Sequence, residues 1–142
     1  MNITKQIATW LLSQGVFDQW TDEDGVLQPA FKLQRDELDE TRIADSDRFI
    51  YIGQVGSSGD RYTASVPVAI SFIGKVAAND RAAIKEYCER IFNLMLDYPL
   101  NDECIVSIEP LGYVNGPMKM ESGRNVYDFE VQVNYQTGKV DS

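Results

Sequence analysis

The spacing of apolar residues predicts two helices. Ile3, Ile7 and Leu11 recur at helical spacing, which predicts an amphipathic helix over residues 3–14. A second stripe of apolar residues at the same spacing predicts a helix over about 80–97, and a proline just beyond it would end that helix. Both helices therefore have one face suited to packing against another element.

An alternation of apolar and polar residues predicts four strands. It begins at residue 48 and returns over 62–72, 103–109 and 125–136, and the last stretch has the cleanest alternation in the chain. Pro67 has no backbone donor for a strand ladder. We therefore expect the second strand to lie at a sheet edge or to carry a bulge at this proline.

The resulting order is helix, strand, strand, helix, strand, strand. It predicts an α+β fold in which a single, mostly antiparallel sheet carries two helices on one face and leaves its other face polar. At this length one domain, 1–142, is expected. Two connections are long: 16–47 is predicted to be an acidic arm with a short strand near 30–34, and 110–124 a long loop.

Composition limits the chemistry that the chain can perform. It has no histidine, which excludes a Ser-His-Asp triad, a Cys-His pair and a His-ligated zinc. The acidic run 22–25 lacks the ligand positions of an EF-hand, and no helix follows the glycines of 53–59 to bind a phosphate. Carboxylates are plentiful, but most lie where we expect flexibility or exposure, whereas catalytic carboxylates need a rigid, partly desolvated setting. We expect no enzyme activity, no metal site and no cofactor.

Charge and cysteine content narrow the class further. The net charge is −9, and two thirds of it lies before residue 61, which argues against nucleic-acid or anionic-membrane binding as the main task. No apolar run is long enough to span a membrane, and the N-terminus has no signal-peptide pattern. Cys88 and Cys104 are expected to be two buried thiols rather than a disulfide.

Two stretches are candidates for contact with other subunits. The loop 110–124 combines prolines, glycines, two methionines, a tyrosine and two cations, and methionine and arginine are favoured at protein interfaces. The alternative is a surface loop that folds back onto its own domain. The second stretch is the short apolar segment 26–33. The candidate interface residues are Tyr113, Met118, Lys119, Met120 and Arg124 in the loop, and Val26, Leu27, Phe31 and Leu33 in the apolar segment. We further expect Arg124→Glu to leave the fold intact and to weaken assembly.

The arrangement of helix 3–14, strand 66–75, helix 80–97, a long loop ending in Gly123-Arg124 and a final amphipathic strand resembles that of a known family. It is similar to the tail terminator, or tail-completion, proteins of long-tailed bacteriophages of the lambda type. The resemblance rests on element order, length and acidity. It does not extend to residues 16–47.

The resemblance implies a non-enzymatic structural virion protein. Members of the family form a hexameric ring of identical subunits that caps the tail tube and joins it to the head-completion complex. The implied partners are the tail tube protein and a head-completion or connector protein, and the implied place is the head-proximal end of the tail, after assembly in the host cytoplasm. DNA would pass through the lumen without specific binding, and Asp128 and Glu130 are predicted to face that lumen because negative charge repels DNA. The alternative for these two acids is an ordinary solvated strand face.

Two other functions remain open from the sequence. A small acidic binding module, such as a DNA-mimicking inhibitor of a nucleic-acid enzyme, would concentrate its charge on one rigid surface. Much of the charge here lies instead in the predicted arm, which favours the ring. The other possibility is a different head–tail connector or tail subunit of the same particle.

Overall fold

The computed structural model describes residues 2–55, 58–59, 63–98 and 105–136. It confirms the α+β class, with two helices and mostly antiparallel strands, but the single sheet and the simple element order are wrong. A two-stranded sheet accompanies the main sheet, and extra strands interrupt the predicted order. In chain order the elements are α1 (Ile3–Ser13), β1 (Trp20–Thr21), β2 (Leu27–Gln28), β3 (Phe31–Arg35), a short 3-10 helix (Glu40–Arg42), β4 (Arg48–Gln54), β5 (Ser58–Gly59), β6 (Thr63–Ile73), α2 (Arg81–Met95), β7 (Ile105–Pro110), β8 (Asn115–Lys119) and β9 (Asn125–Gln136).

The main sheet has seven strands with the order β3-β4-β6-β9-β7. The short strand β5 pairs with β6, and β8 pairs with β9 beyond the end of β7. All pairs are antiparallel except β3–β4, which is parallel. The sheet therefore has two lateral edges, one formed by β3 and the other by β7 and β8.

Both helices pack on the same face of this sheet. α1 contacts β3 and β4, whereas α2 contacts β6 and β9. The sheet contributes rows of apolar side chains to the shared core, such as Ile50, Phe72 and Tyr127, which are register neighbours on three strands. Ile84 and Cys88 of α2 pack into the same core. The two predicted helical stripes are thus the buried faces of the two helices.

Pro67 lies in the interior of the sheet, so its predicted edge position is wrong. β6 runs between β4 and β9, and Pro67 is paired in register with Gln132. Its carbonyl accepts from the N–H of Val55 (2.9 Å), so this side of Pro67 points towards β4. In an antiparallel strand, the N–H and the C=O of one residue point to the same neighbouring strand. The N–H that Pro67 lacks would therefore point to the gap between the end of β4 and the start of β5.

Residues 16–47 fold against the body of the molecule instead of extending as an arm. The Tyr87 ring of α2 organises the first half of this segment: Trp20 stacks on it at 4.4 Å between ring centroids, and Phe31 stacks on it at 5.0 Å. The Tyr87 hydroxyl donates to the carbonyl of Val16 (2.5 Å), and burial raises the pKa of Tyr87 to about 12. The short strand predicted near 30–34 corresponds to β3.

The connection 36–47 joins the parallel strands β3 and β4 and passes over the sheet face opposite the helices. Its Ile43 packs on a small second cluster formed by Phe49, Ile73 and Val126, which are register neighbours on three strands. This end of the second face is therefore apolar and covered, whereas polar and small side chains occupy the rest. Within the described ranges, neither helix is long and apolar enough to cross a membrane.

Candidate interaction surfaces

The predicted loop 110–124 is largely a strand and a tight turn. β8 continues the line of β7 along the edge of β9, and all five of its residues are exposed. Tyr113, between the two strands, packs its ring edge-on against Phe92 of α2 (4.8 Å), and its hydroxyl lies 3.5 Å from a Glu89 carboxylate oxygen. Tyr113 nevertheless stays 53% exposed. This segment is therefore both held against its own subunit and open to a partner.

The two methionines of this segment have different environments. Met118, on β8, is 45% exposed, and its neighbour Lys119 is also exposed. Met120 is partly buried and packs against the second cluster beside Val126. Of the two, Met118 therefore keeps the greater capacity to contact another molecule.

Arg124 is buried, so its predicted role as a projecting interface residue is wrong. Its side chain is 1% exposed. One terminal nitrogen donates to the carbonyls of Gly74 (2.7 Å) and Asp47 (2.8 Å), and the other donates to the carbonyl of Ala44 (3.0 Å). Its Nε lies 3.1 Å from a carboxylate oxygen of Glu40. The guanidinium group thus ties the connection 36–47 to the turn that precedes β9.

This burial also overturns the expected effect of Arg124→Glu. A carboxylate in place of the guanidinium would face several carbonyl oxygens and Glu40 without a donor, so the fold would not stay intact. The local sequence does not distinguish such a buried cation from a surface cation, because its partners are backbone carbonyls far away in the chain.

The apolar segment 26–33 divides between surface and core. Leu27 is 62% exposed and Val26 53% exposed in the β1–β2 hairpin. Phe31 is buried in the main core, and Leu33 is partly buried against it, so the prediction that Phe31 forms an interface is wrong. β2 leads directly into the edge strand β3, whereas β8 lies at the opposite edge. The exposed apolar side chains of the hairpin and of β8 therefore belong to two separate elements, because β1 and β2 form a sheet of their own.

Asp128 and Glu130 project from the sheet face that carries no helix. Asp128 is register neighbour to Ser71, whose neighbour on β4 is Tyr51, and Glu130 is register neighbour to Ala69. Asp128 is hydrogen-bonded to the side chain of Asn115, but partial burial is the larger influence and raises its pKa above the ordinary value of 3.8. The lumen-facing role of both acids stays a prediction.

The sequence analysis missed two exposed cations on α2. Arg81 and Lys85 are exposed and lie one helical turn apart on the flank of the helix, beside its buried stripe. Neither takes part in an ion pair among the described residues. The helical pattern of the sequence places both residues outside the buried stripe. The packing of α2 on the sheet then shows which side of the subunit they occupy.

Carboxylates are plentiful in the described ranges but are not grouped for metal binding. No group of three cysteine and carboxylate side chains there is arranged to hold a metal ion. Cys88 is a buried free thiol, as expected, and burial raises its pKa. Cys104 lies outside the described residues.

Comparison with known proteins supports the resemblance noted from the sequence. No curated protein matches the chain. A family model described as "Phage tail termination protein" matches residues 10–137, which include the end of α1, the whole of α2 and every strand of both sheets. The chain therefore belongs to the phage tail termination protein family, a family of structural tail proteins.

Proposed function

We propose that this subunit forms a ring, a hexamer by the family resemblance, that caps the completed tail tube and joins it to the head-completion complex. The ring would stand at the head-proximal end of the tail in the virion, after assembly in the host cytoplasm. DNA would pass through its lumen without specific binding. The partners are therefore further copies of this chain, the tail tube protein and a head-completion or connector protein.

The observation that carries the proposal is that exposed apolar side chains occur on two separate elements, the β1–β2 hairpin and the edge strand β8 of the main sheet. One patch is Val26 and Leu27 in the β1–β2 hairpin, and the other is centred on Met118 of the edge strand β8. A protein that ends a polymer needs two unlike surfaces: one must match the last ring of the tube, and the other must not offer the next tube subunit a place to bind. Two different patches on separate elements of one subunit fit that requirement.

The composition of the patches suits contact with other proteins. Large exposed apolar side chains beside polar ones mark surfaces that bind other proteins. Lys119 adds a charge to the β8 patch, and charge at the rim of an interface speeds association and selects the partner. We assign these patches to the two axial partners, the tube and the head-completion complex.

The first experiment measures assembly of the unaltered protein. Native mass spectrometry over a range of concentrations, with and without tail tubes, should show a closed ring. Electron microscopy should show tubes of uniform length in its presence and longer tubes in its absence. A protein that stays monomeric with tubes present, and that leaves tube length unchanged, would contradict the proposal.

The second experiment tests the patches. Met118→Glu and Leu27→Glu should each weaken binding to one axial partner, because each places a charge in an apolar contact, while the ring still forms. Leu12→Glu is the matched control, since Leu12 is exposed to a similar extent but lies on α1, outside both patches. Equal binding by all three variants would show that the patches do not contact the axial partners.

A further inference from the structure

We propose that neighbouring subunits of the ring join edge to edge: β3 of one copy pairs with β7 of the next as antiparallel strands, so that Leu33 lies opposite Ile108 and Lys32 lies opposite Glu109. The inference rests on the proposed ring. It assigns the surface that joins one copy of the chain to another, which the family relationship leaves undefined.

The outer side of β3 carries backbone groups that face no other strand. Among the described residues, β4 is the only strand that pairs with β3. The N–H of Asp36 donates to the carbonyl of Ile52 (2.9 Å), so the alternation along the strand turns the N–H and C=O of Leu33 away from β4. An edge with unpaired donors and acceptors is a template on which another chain can add a strand.

The outer side of β7 has the same property. Within the described ranges, β7 pairs with β9 alone. The N–H of Leu111 donates to the carbonyl of Glu130 (2.9 Å), so the N–H and C=O of Ile108 point away from β9. Leu33 on one edge and Ile108 on the other therefore each offer one donor and one acceptor outward.

The two edge strands run in opposite directions within one subunit. β3 is parallel to β4, and each further step across the sheet, to β6, β9 and β7, is antiparallel. A ring joins two different surfaces of each copy, and one that extends this sheet keeps the same strand direction in every copy. The β7 strand of one copy therefore meets β3 of the next as an antiparallel partner. Pro110 then lies opposite Phe31, where its missing N–H removes only a terminal hydrogen bond.

The apolar side chains select the register of this pairing. Leu33 and Ile108 are both partly buried, and each packs against the main core from its own lateral edge of the sheet. Their side chains lie on the sheet face that carries the helices. Placing them opposite each other continues the apolar layer from one subunit into the next.

The same register brings opposite charges together. Lys32 is register neighbour to Phe49 of the second cluster, and Glu109 is register neighbour to Gln132, so both charged side chains stand on the face opposite the helices. Both are exposed, and neither takes part in an ion pair among the described residues. Opposite charges that face each other on adjacent strands attract. Each residue would thus acquire its partner from the next copy.

The contact uses residues outside the two patches assigned to the axial partners. The paired segments are 31–34 and 107–110, and none of Val26, Leu27 and Met118 belongs to them. The segments are short, so we expect isolated subunits to associate weakly and the ring to form more readily on a tube end. Variants of these segments should therefore change ring formation without removing either patch.

The decisive experiment exchanges the charges of the facing pair. Lys32→Glu alone and Glu109→Lys alone should each raise the subunit concentration needed for ring formation by about tenfold or more, because each puts like charges directly opposite each other in every interface of the ring. The double variant Lys32→Glu/Glu109→Lys should return it to near the wild-type value. Ring formation is measured by native mass spectrometry. Lys85→Glu and Glu121→Lys are the controls, since both residues are exposed and lie outside β3 and β7.

An engineered disulfide tests the register itself. If Leu33 and Ile108 exchange hydrogen bonds, the adjacent pair of Lys32 and Glu109 has its Cα atoms about 4.5 Å apart, which a disulfide can bridge. Lys32→Cys/Glu109→Cys should therefore form disulfide-linked multimers up to the full ring on mild oxidation. Gln34→Cys/Glu109→Cys is the matched control, because this diagonal pair would be about 7–8 Å apart, too far for a disulfide.

Three results would each overturn the inference. They are single reversals that assemble like wild type, a double reversal no better than the single ones, and disulfide-linked multimers no more abundant in the facing cysteine pair than in the diagonal pair. Ring formation by the wild-type protein tests the proposed function. A wild-type ring that persists in Lys32→Glu and Glu109→Lys therefore contradicts only the contact.

Discussion

Arg124 carries a full charge in a part of the molecule from which water is almost excluded. Hydrogen bonds replace the water that this charge loses: its planar guanidinium group donates to carbonyls of the connection 36–47 and of Gly74, and Glu40 supplies an opposite charge. A buried charge of this kind is costly when one partner is removed, because the remaining groups keep their desolvation cost. The residue therefore holds the subunit together and does not project from it.

We expect Arg124→Lys to lower the free energy of unfolding by about 2–4 kcal/mol, because an ammonium group cannot donate to three carbonyls in the fixed directions of a guanidinium. Urea unfolding at pH 7, at a concentration where the subunit is monomeric, measures the change. Lys119→Ala is the control, and the exposed position of Lys119 predicts a change within about 0.5 kcal/mol. Equal stability of the two variants would show that the carbonyl contacts contribute little.

At the scale of elements, periodicity predicted the parts of the chain that bury one face. Both helices and β9 have long one-sided patterns, and each appears close to its predicted range. β1, β2 and β5 are two residues long, which is too short to show an alternation. β8 is exposed throughout, so its sequence 115–119 has no apolar period. The parallel pairing of β3 with β4 depends on how a connection of a dozen residues crosses the sheet, and no local pattern records that.

β8 depends on a glycine that no other residue can replace without strain. Gly116 has a φ of +134°, and a Cβ there would lie 2.7 Å from the Tyr127 ring and 2.8 Å from the carbonyl oxygen of Val126. The strand can approach β9 in this way only because the side chain is absent. The position of Met118 at the sheet edge therefore depends on the absence of a side chain at Gly116.

We expect Gly116→Ala to cost at least about 1 kcal/mol more than Gly112→Ala in the free energy of unfolding. Gly112 also has a positive φ, of +89°, but a Cβ there would meet nothing within 4 Å. Both variants therefore carry the backbone strain of about 1–2 kcal/mol, and only the first adds a steric clash. Thermal and urea unfolding of the two variants give the comparison, and equal losses would mean that β8 relaxes freely away from β9.

At the scale of the whole molecule, the main sheet has one covered face, one partly open face and an edge strand, β8, with an exposed apolar residue, while the separate β1–β2 hairpin exposes two more. The sequence identified several of the residues on these surfaces, because methionine, tyrosine and leucine stand out in polar stretches. It did not separate Met118 from Met120, or Leu27 from Phe31, because exposure depends on which strands lie beside each residue.

The partly buried Asp128 predicts a pH-dependent effect on the isolated subunit. Its pKa is raised in the folded state, so its ionised form destabilises the fold at neutral pH, and this penalty disappears as the pH falls through the raised pKa and then below the ordinary value of 3.8. We expect Asp128→Asn to stabilise the monomer at pH 7 by up to about 0.5 kcal/mol and to have no effect near pH 3. Urea unfolding at both pH values measures the difference. Glu37→Gln, at an exposed site, is the control, and a gain that persists at pH 3 would point to a cause other than charge.

The position of Arg124 has a consequence for the order in which the chain acquires its structure. Its guanidinium contacts carbonyls that precede it by 50, 77 and 80 positions. A ribosome makes the N-terminal part first, at roughly 5–20 residues per second. Until residue 124 is added, residues 36–47 have been synthesised but lack the Arg124 guanidinium group that hydrogen-bonds to them. The connection therefore acquires these hydrogen bonds only after residue 124 has been synthesised, and a nascent chain released before that residue lacks them.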